Sequence, residues 1–186
     1  MNSPSPHRQQ VRPRAWGGFT LIELLVTIGI IAVLVSIAIP ATNRVVHSAR
    51  ASQCMSHLKG LGSGLQMYLA DHNNVMPDLV IGRESKESDE PALDNTLREY
   101  VEDPDCFRCP ADHKRLYETT GTSYSWNHLL NRQHLSELSL MGVIKGGARI
   151  PVISDKENFH KYRDVEVNIL YADGHVAREI QFVVEE

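Results

Sequence analysis

The sequence has little of what marks several common protein classes. Three cysteines in 186 residues are too few for a disulfide-dense scaffold. The formal net charge of −4 and an aromatic content of 6% exclude a strongly basic nucleic-acid binder. The sequence motifs of nucleophile-elbow hydrolases, P-loop NTPases, dinucleotide-binding folds and HExxH metalloenzymes are absent. We therefore expect no catalytic residues and no nucleic-acid partner.

Acidic residues are missing from residues 1–18, which carry Arg8, Arg12 and Arg14. Residues 19–39 then form an apolar run whose one charged residue is Glu23. As a helix this run would span about 31 Å, the thickness of a bilayer core. The run is too long for the core of a cleaved secretory signal. The basic flank predicts a single-pass helix with a cytoplasmic N-terminus.

Glu23 is unexplained by a plain membrane anchor. A carboxylate inside hydrocarbon costs about 2.5–3.5 kcal/mol on insertion scales, and less near the interface. Such a residue therefore predicts a functional site with a cationic partner.

The segment GGFTLIELLV, beginning at Gly17, resembles the processing site of type IV prepilins and of the pseudopilins of type II secretion. The resemblance implies that a prepilin peptidase cleaves after Gly18 and that Phe19 is then N-methylated. Glu23 becomes the fifth mature residue, where the family keeps a glutamate. One helical turn from the new amine, Glu23 is not expected to fold back on its own N-terminus. We expect it to pair with the Phe19 amine of a neighbouring subunit.

The resemblance implies an α+β, pilin-like fold with a long kinked helix on a small antiparallel sheet. It implies a structural subunit of a type IV pilus-like or pseudopilus-like filament in the inner membrane, periplasmic or at the surface after assembly. The partners would be prepilin peptidase, other pilin or pseudopilin subunits, and an inner-membrane assembly platform with its ATPase. Removing residues 1–18 leaves 16 basic and 23 acidic residues, a net charge of −7, which favours a soluble extracytoplasmic head.

The sequence predicts four segments: a basic leader at 1–18, a transmembrane helix at 19–39, its amphipathic extension at 40–75, and a globular head at 76–186. Pro40 predicts a kink or local melting near residues 36–40, and the family commonly has a proline here. The expected core stripe of the extension is Val46, Ala49, Cys54, Leu58, Leu61, Leu65 and Tyr68 or Leu69. The glycines at 60, 62 and 64 weaken the helix but allow close packing.

In the head, we expect short helices at 91–101 and 133–141 and strands at 123–127 and 150–154. A C-terminal hairpin is predicted from strands at 165–171 and 175–183, joined at Asp173 and Gly174 by a two-residue type I′ turn. This block also resembles the processing-associated domain defined by a His, a nine-residue spacer and Asp-Gly. His160 precedes Asp173 by a spacer of twelve residues, so either the loop is longer here or His160 is not the equivalent histidine.

Cys106 and Cys109 form a CxxC pair with three interpretations. A structural disulfide suits an extracytoplasmic head. Half of a zinc site would need two further ligands, for which His113 is near in sequence and Cys54 lies on the long helix. A redox pair would need a strand-to-helix setting that the sequence lacks. Cys54 is expected to be a buried free thiol, with a bridge to either other cysteine left open.

Two other ligand sets could hold a metal. His160, Asp164, Asp173 and His175 could form one cluster, although the turn explains Asp173. Asp155, Glu157 and Asn158 could supply oxygen ligands to calcium. Neither spacing is diagnostic, so we predict no bound metal, with calcium or zinc as the alternatives.

A second functional class is a membrane-anchored module that binds a ligand, such as a polysaccharide, through its head. Exposed aromatic side chains in a groove around Tyr124 and Trp126 would favour this alternative over the filament.

Overall fold

The computed structural model describes residues 19–160 and 167–178. The chain divides into two compact units, Met1–Ala41 and Thr42–Glu186. A long N-terminal helix and a small antiparallel sheet give the α+β, pilin-like architecture that the sequence predicts.

The helices are α1 (Leu21–Asp71), α2 (Leu93–Thr96) and α3 (Leu116–Thr120). The strands are β1 (Tyr124–Trp126), β2 (Ser139–Leu140), β3 (Ile144–Lys145), β4 (Pro151–Asp155), β5 (Ile169–Tyr171) and β6 (Val176–Ala177). Short 3₁₀ helices cover Pro104–Phe107, His128–Leu130, Leu135–Glu137 and Gly147–Arg149.

The first unit consists of the apolar run, and every residue of 19–39 is exposed. By length and composition, α1 is able to cross a membrane. Pro40 lies inside α1 and residues 36–40 are helical, so the local melting is not observed. A kink at Pro40 stays a prediction.

In the second unit, one face of α1 is buried in the core of the head. The buried apolar residues are Ala51, Cys54, Leu58, Leu61, Leu65 and Leu69. Val46 and Ala49 are exposed, so the predicted stripe starts too early by about one helical turn. The buried stripe begins at Ala51, the first residue of α1 that the head buries.

Two glycines of α1 mark close approaches. A Cβ on Gly62 would lie 3.0 Å from Leu170 Cδ1 on β5, and one on Gly64 would lie 2.6 Å from Val101 Cγ2. The head therefore packs almost against the helix backbone at these positions.

The main sheet has the antiparallel order β1-β4-β5-β6. Strands β1 and β4 confirm the predictions at 123–127 and 150–154, and β2 and β3 form a separate pair. The core that contains the buried face of α1 also includes the buried rings of Tyr124 and Trp126.

The predicted helix at 133–141 is wrong, because the segment folds as a 3₁₀ turn followed by β2. Backbone hydrogen bonds connect this segment to the chain after α1: Met76 N–H donates to the Gln133 carbonyl at 2.9 Å, and Leu135 N–H to that of Asn74 at 2.8 Å. The helix predicted at 91–101 is reduced to α2, although Leu93, Leu97 and Val101 are all buried as its spacing predicts.

The C-terminal hairpin is confirmed as β5–β6, with Ile169 opposite Ala177. Residues of the second strand beyond Arg178, and those of the first before Val167, lie outside the described range. The type I′ turn is wrong, because Gly174 has a positive φ of 89° and Asp173 does not. The Tyr171 carbonyl accepts from Gly174 N–H at 2.9 Å, and Tyr171 N–H donates to the His175 carbonyl at 2.9 Å. This is a three-residue loop that ends in a left-handed glycine.

Candidate functional site

Thr20 and Glu23 form a reciprocal cap at the start of α1. The Thr20 amide and hydroxyl donate to Glu23 Oε2 at 2.9 and 2.8 Å, and Glu23 N–H donates to Thr20 Oγ1 at 3.3 Å. A threonine followed three residues later by glutamate is the capping-box arrangement. The sequence itself contains this signal, because Thr20 precedes Glu23 by three residues at the start of the apolar run.

The cap gives Glu23 a partner within its own helix, and the expectation that it does not fold back on the Phe19 amine stays a prediction. Its carboxylate reaches Thr20, one residue after Phe19. Phe19 precedes α1 and its side chain is 78% exposed. Gly18, the predicted cleavage residue, lies outside the described residues. Cleavage and methylation therefore stay predictions.

A second cluster lies inside the head, where Cys54, Cys109, Asp155 and His160 meet. Cys54 comes from α1, Cys109 from the loop after the 3₁₀ helix Pro104–Phe107, Asp155 from the end of β4, and His160 from the segment after β4. All four are buried, and their sulfur, nitrogen and oxygen atoms lie within 4.8 Å of one another.

Hydrogen bonds connect the four side chains. Cys54 Sγ donates to Asp155 Oδ1 at 3.2 Å, and Cys109 Sγ lies 3.7 Å from His160 Nε2. His160 Nε2 lies 3.4 Å from Asp155 Oδ2.

Three outer groups orient the cluster. The backbone and side-chain amides of Asn168 donate to Asp155 Oδ2 at 2.8 and 3.0 Å. The Tyr124 hydroxyl is 3.2 Å from Cys54 Sγ, and the Ala111 amide hydrogen-bonds to Cys109. The two hydrogen bonds from Asn168 hold the fully buried Asp155 carboxylate in one orientation.

The cluster separates the protonation behaviour of its two thiols. Burial raises the pKa of Cys54 far above its usual range. Hydrogen bonding from the Cys54 side chain, and then from His160, lowers the pKa of Cys109 to about 7. Burial opposes the imidazolium of His160, but hydrogen bonds to Asp155 and Cys109 outweigh this effect and raise its pKa to about 9. Cys109 is thus the thiol prepared to become a thiolate.

Cys106 does not join this cluster. Its sulfur faces α1, where a Cβ on Gly60 would lie 2.8 Å from Sγ. All three cysteines lie in the described part of the chain and are free thiols, so Cys106 and Cys109 are not bridged there. A disulfide between Cys106 and Cys109 stays a prediction. Cys54 is a buried free thiol, as the sequence predicts.

The other predicted ligand sets are not brought together. His113 Nδ1 lies 3.3 Å from the Ala111 carbonyl, and its ring packs edge-on against Phe159. Glu157 pairs with Lys114 at 2.7 Å rather than with Asp155.

The one set that included His160 is not assembled within the described residues. Asp173 caps its turn and contacts His175 at 2.5 Å, while Asp164 lies outside the described residues. All four clustered residues are candidate ligands in the sequence, but in three separate sets.

One comparison with known proteins identifies the N-terminal segment. Residues 17–39 match the family model of the prokaryotic N-terminal methylation motif. No solved structure matches the chain. With its long N-terminal apolar helix, the chain is consistent with a type IV prepilin-like protein, and this helix is compatible with membrane anchoring.

Proposed function

We propose that this protein is a structural, non-enzymatic subunit of a type IV pilus-like or type II secretion pseudopilus-like filament. The observation that carries the proposal is the methylation motif at residues 17–39, placed at the start of a membrane-length helix. Prepilin peptidase cleaves after Gly18, and Phe19 becomes the methylated N-terminus. The N-terminus lies on the cytoplasmic side of the inner membrane, and the head lies outside it.

The exposed apolar surface of residues 19–39 supports this proposal. In the membrane this surface contacts lipid, and in a filament it packs against the same segment of other subunits. An assembly platform and its ATPase would move the helix from the first environment to the second.

The ligand-binding alternative gains no support from the head. Exposed aromatic side chains in a groove around Tyr124 and Trp126 would favour it, and these two residues are 0% and 2% exposed. We therefore propose no second function.

Intact-mass and N-terminal peptide mass spectrometry of the protein from its native membranes tests the proposal. We expect a chain that begins at a methylated Phe19, and an uncut chain in a strain without prepilin peptidase. A chain that keeps residues 1–18 where the peptidase is active would contradict the proposal, because the motif would then act only as an anchor.

A further inference from the structure

We propose that Cys54, Cys109, Asp155 and His160 bind one zinc ion that joins the helix to the head's sheet. The site lies within the second unit and goes beyond the filament role. It extends the sequence-based alternative of a zinc half-site, but with Cys109 as the only CxxC ligand.

The distances between the ligand atoms fit a tetrahedral ion. Zinc holds sulfur at about 2.3 Å and nitrogen or oxygen at about 2.0–2.2 Å, so tetrahedral ligand atoms lie about 3.4–3.8 Å apart. Cys109 Sγ to His160 Nε2 is 3.7 Å, and His160 Nε2 to Asp155 Oδ2 is 3.4 Å. Cys54 Sγ lies 3.2 Å from the other carboxylate oxygen, Asp155 Oδ1, and the four ligand atoms all lie within 4.8 Å of one another. Closing on one ion therefore needs shifts of up to about 1 Å between ligand atoms.

The donor set favours zinc over calcium. Two thiols and an imidazole are soft or borderline ligands, whereas calcium takes six to eight oxygen atoms. Four protein ligands, all buried, complete a tetrahedral shell and leave no open position for a substrate. The site is therefore structural rather than catalytic.

The surrounding hydrogen bonds match those of a metal centre. Asn168 donates twice to Asp155, the Ala111 amide hydrogen-bonds to Cys109, and the Tyr124 hydroxyl contacts Cys54. Such donors orient ligands and stabilise their negative charge. They are useful here because two thiolates and a carboxylate around a dication leave one net negative charge in the core.

Zinc binding displaces the protons that the cluster otherwise shares. Each thiol loses its proton to solvent as its sulfur forms a bond to the ion, and the imidazolium of His160 likewise releases the proton on Nε2 before that nitrogen binds. The metal-free cluster instead depends on weak hydrogen bonds from sulfur. The ion replaces these with four ligand bonds.

The test uses the full chain, purified in detergent under reducing conditions, supplied with zinc sulfate, desalted and analysed for metal by mass spectrometry. Tetrahedral coordination predicts about one zinc per chain in the wild type. Cys109→Ser and His160→Ala should each lower zinc content at least tenfold. Cys106→Ser is the matched control and should keep the wild-type content, because its sulfur lies outside the cluster.

A second measurement does not depend on whether the variants fold. Cobalt(II) added to the metal-free wild type should give the visible absorption of a tetrahedral ion with thiolate ligands, and zinc should remove it. Three results would each overturn the proposal: a wild type without stoichiometric zinc and without this cobalt spectrum, equal zinc loss in Cys106→Ser and Cys109→Ser, or a Cys54–Cys109 disulfide in peptides from the native protein. None of these results depends on whether the subunit forms filaments.

Discussion

At the scale of single residues, the head contains a buried ion pair between Arg83 and Asp94. Their side chains are 3% and 13% exposed, and the guanidinium also donates to the Ser88 carbonyl at 2.7 Å. Within the described part of the chain, Arg83 Nε and Asp94 Oδ1 have no hydrogen-bond partner. Burial also lowers the pKa of neighbouring Lys156, although attraction to Asp94 opposes this shift. Asp94 is thus the main counter-charge in a region poor in solvent.

Asp94→Ala should therefore lower the free energy of unfolding by about 3–5 kcal/mol, because it leaves the Arg83 charge buried and unpaired. Urea unfolding of the full chain in detergent, followed by tryptophan fluorescence, measures the loss. Glu118→Ala is the control: its pair with Arg108 is 34% and 52% exposed, so the expected cost is about 0–1 kcal/mol. Equal losses in the two variants would contradict this account.

At the scale of elements, the contact between α1 and the head depends on the absence of side chains. The chain at Tyr100 and Val101 lies directly over Gly64, where an added Cβ would be 3.1 Å from the Tyr100 carbonyl oxygen. This oxygen belongs to the backbone, so it moves only if its segment moves.

Gly64→Ala should destabilise the head by about 1–2 kcal/mol. The overpacking costs about 1–3 kcal/mol, and the better helix propensity of alanine returns up to about 1 kcal/mol. The same urea titration tests this, with Ser63→Ala on the exposed face of α1 as the control. The Ser63 variant should be unchanged or slightly more stable. A Gly64 variant as stable as the control would show that residues 100–101 can move at little cost.

The elements also show which sequence signals were sufficient. The apolar run and the apolar periodicity that follows it predicted one long helix, and α1 ends at Asp71, close to the predicted end. Asp173-Gly174 correctly located the hairpin. Two predictions were wrong because they depended on contacts with distant parts of the chain, which the local sequence does not specify. The segment 133–141 pairs with the chain after α1 instead of forming a helix, and Val46 lies beyond the part of α1 that the head covers.

The buried cluster could not be assembled from spacing alone. Its residues come from a helix, a loop, a strand end and the following segment, and 55 positions separate Cys54 from Cys109. The CxxC motif left a disulfide, half of a zinc site and a redox pair open, and the fold places only one of its two cysteines, Cys109, in the cluster. The contacts of the two sulfur atoms distinguish Cys106 from Cys109: the Cys106 sulfur faces Gly60, and the Cys109 sulfur faces His160.

At the scale of the whole molecule, Glu23 relates the single chain to the filament. In the chain alone it caps α1 through Thr20, so its carboxylate is already hydrogen-bonded before any assembly. An ion pair with a neighbouring subunit would therefore add charge attraction to the Glu23 carboxylate. It would not supply the first hydrogen-bond partner of that carboxylate, because Thr20 already does so.

Glu23→Gln separates the two roles, because glutamine keeps the capping box but not the charge. We expect Glu23→Gln and Glu23→Leu both to be processed at Gly18 and both to lose filaments, since neither can form an ion pair with the Phe19 amine. Electron microscopy of surface or sheared fractions measures assembly, and N-terminal mass spectrometry verifies processing. Normal filaments from the Gln variant would mean that the cap alone accounts for Glu23.

The cap has a further consequence once the leader is removed. The N-terminal end of a helix carries a partial positive charge, so a protonated amine placed beside it is unfavourable, while a carboxylate in the first turn is favourable. Before cleavage, Phe19 contributes only a neutral amide near this end. Under the proposed cleavage it would instead contribute a cation two residues before Leu21, the first residue of α1. Glu23 would then lie near both the macrodipole and this new charge, so the same carboxylate would stabilise the processed helix more than its precursor.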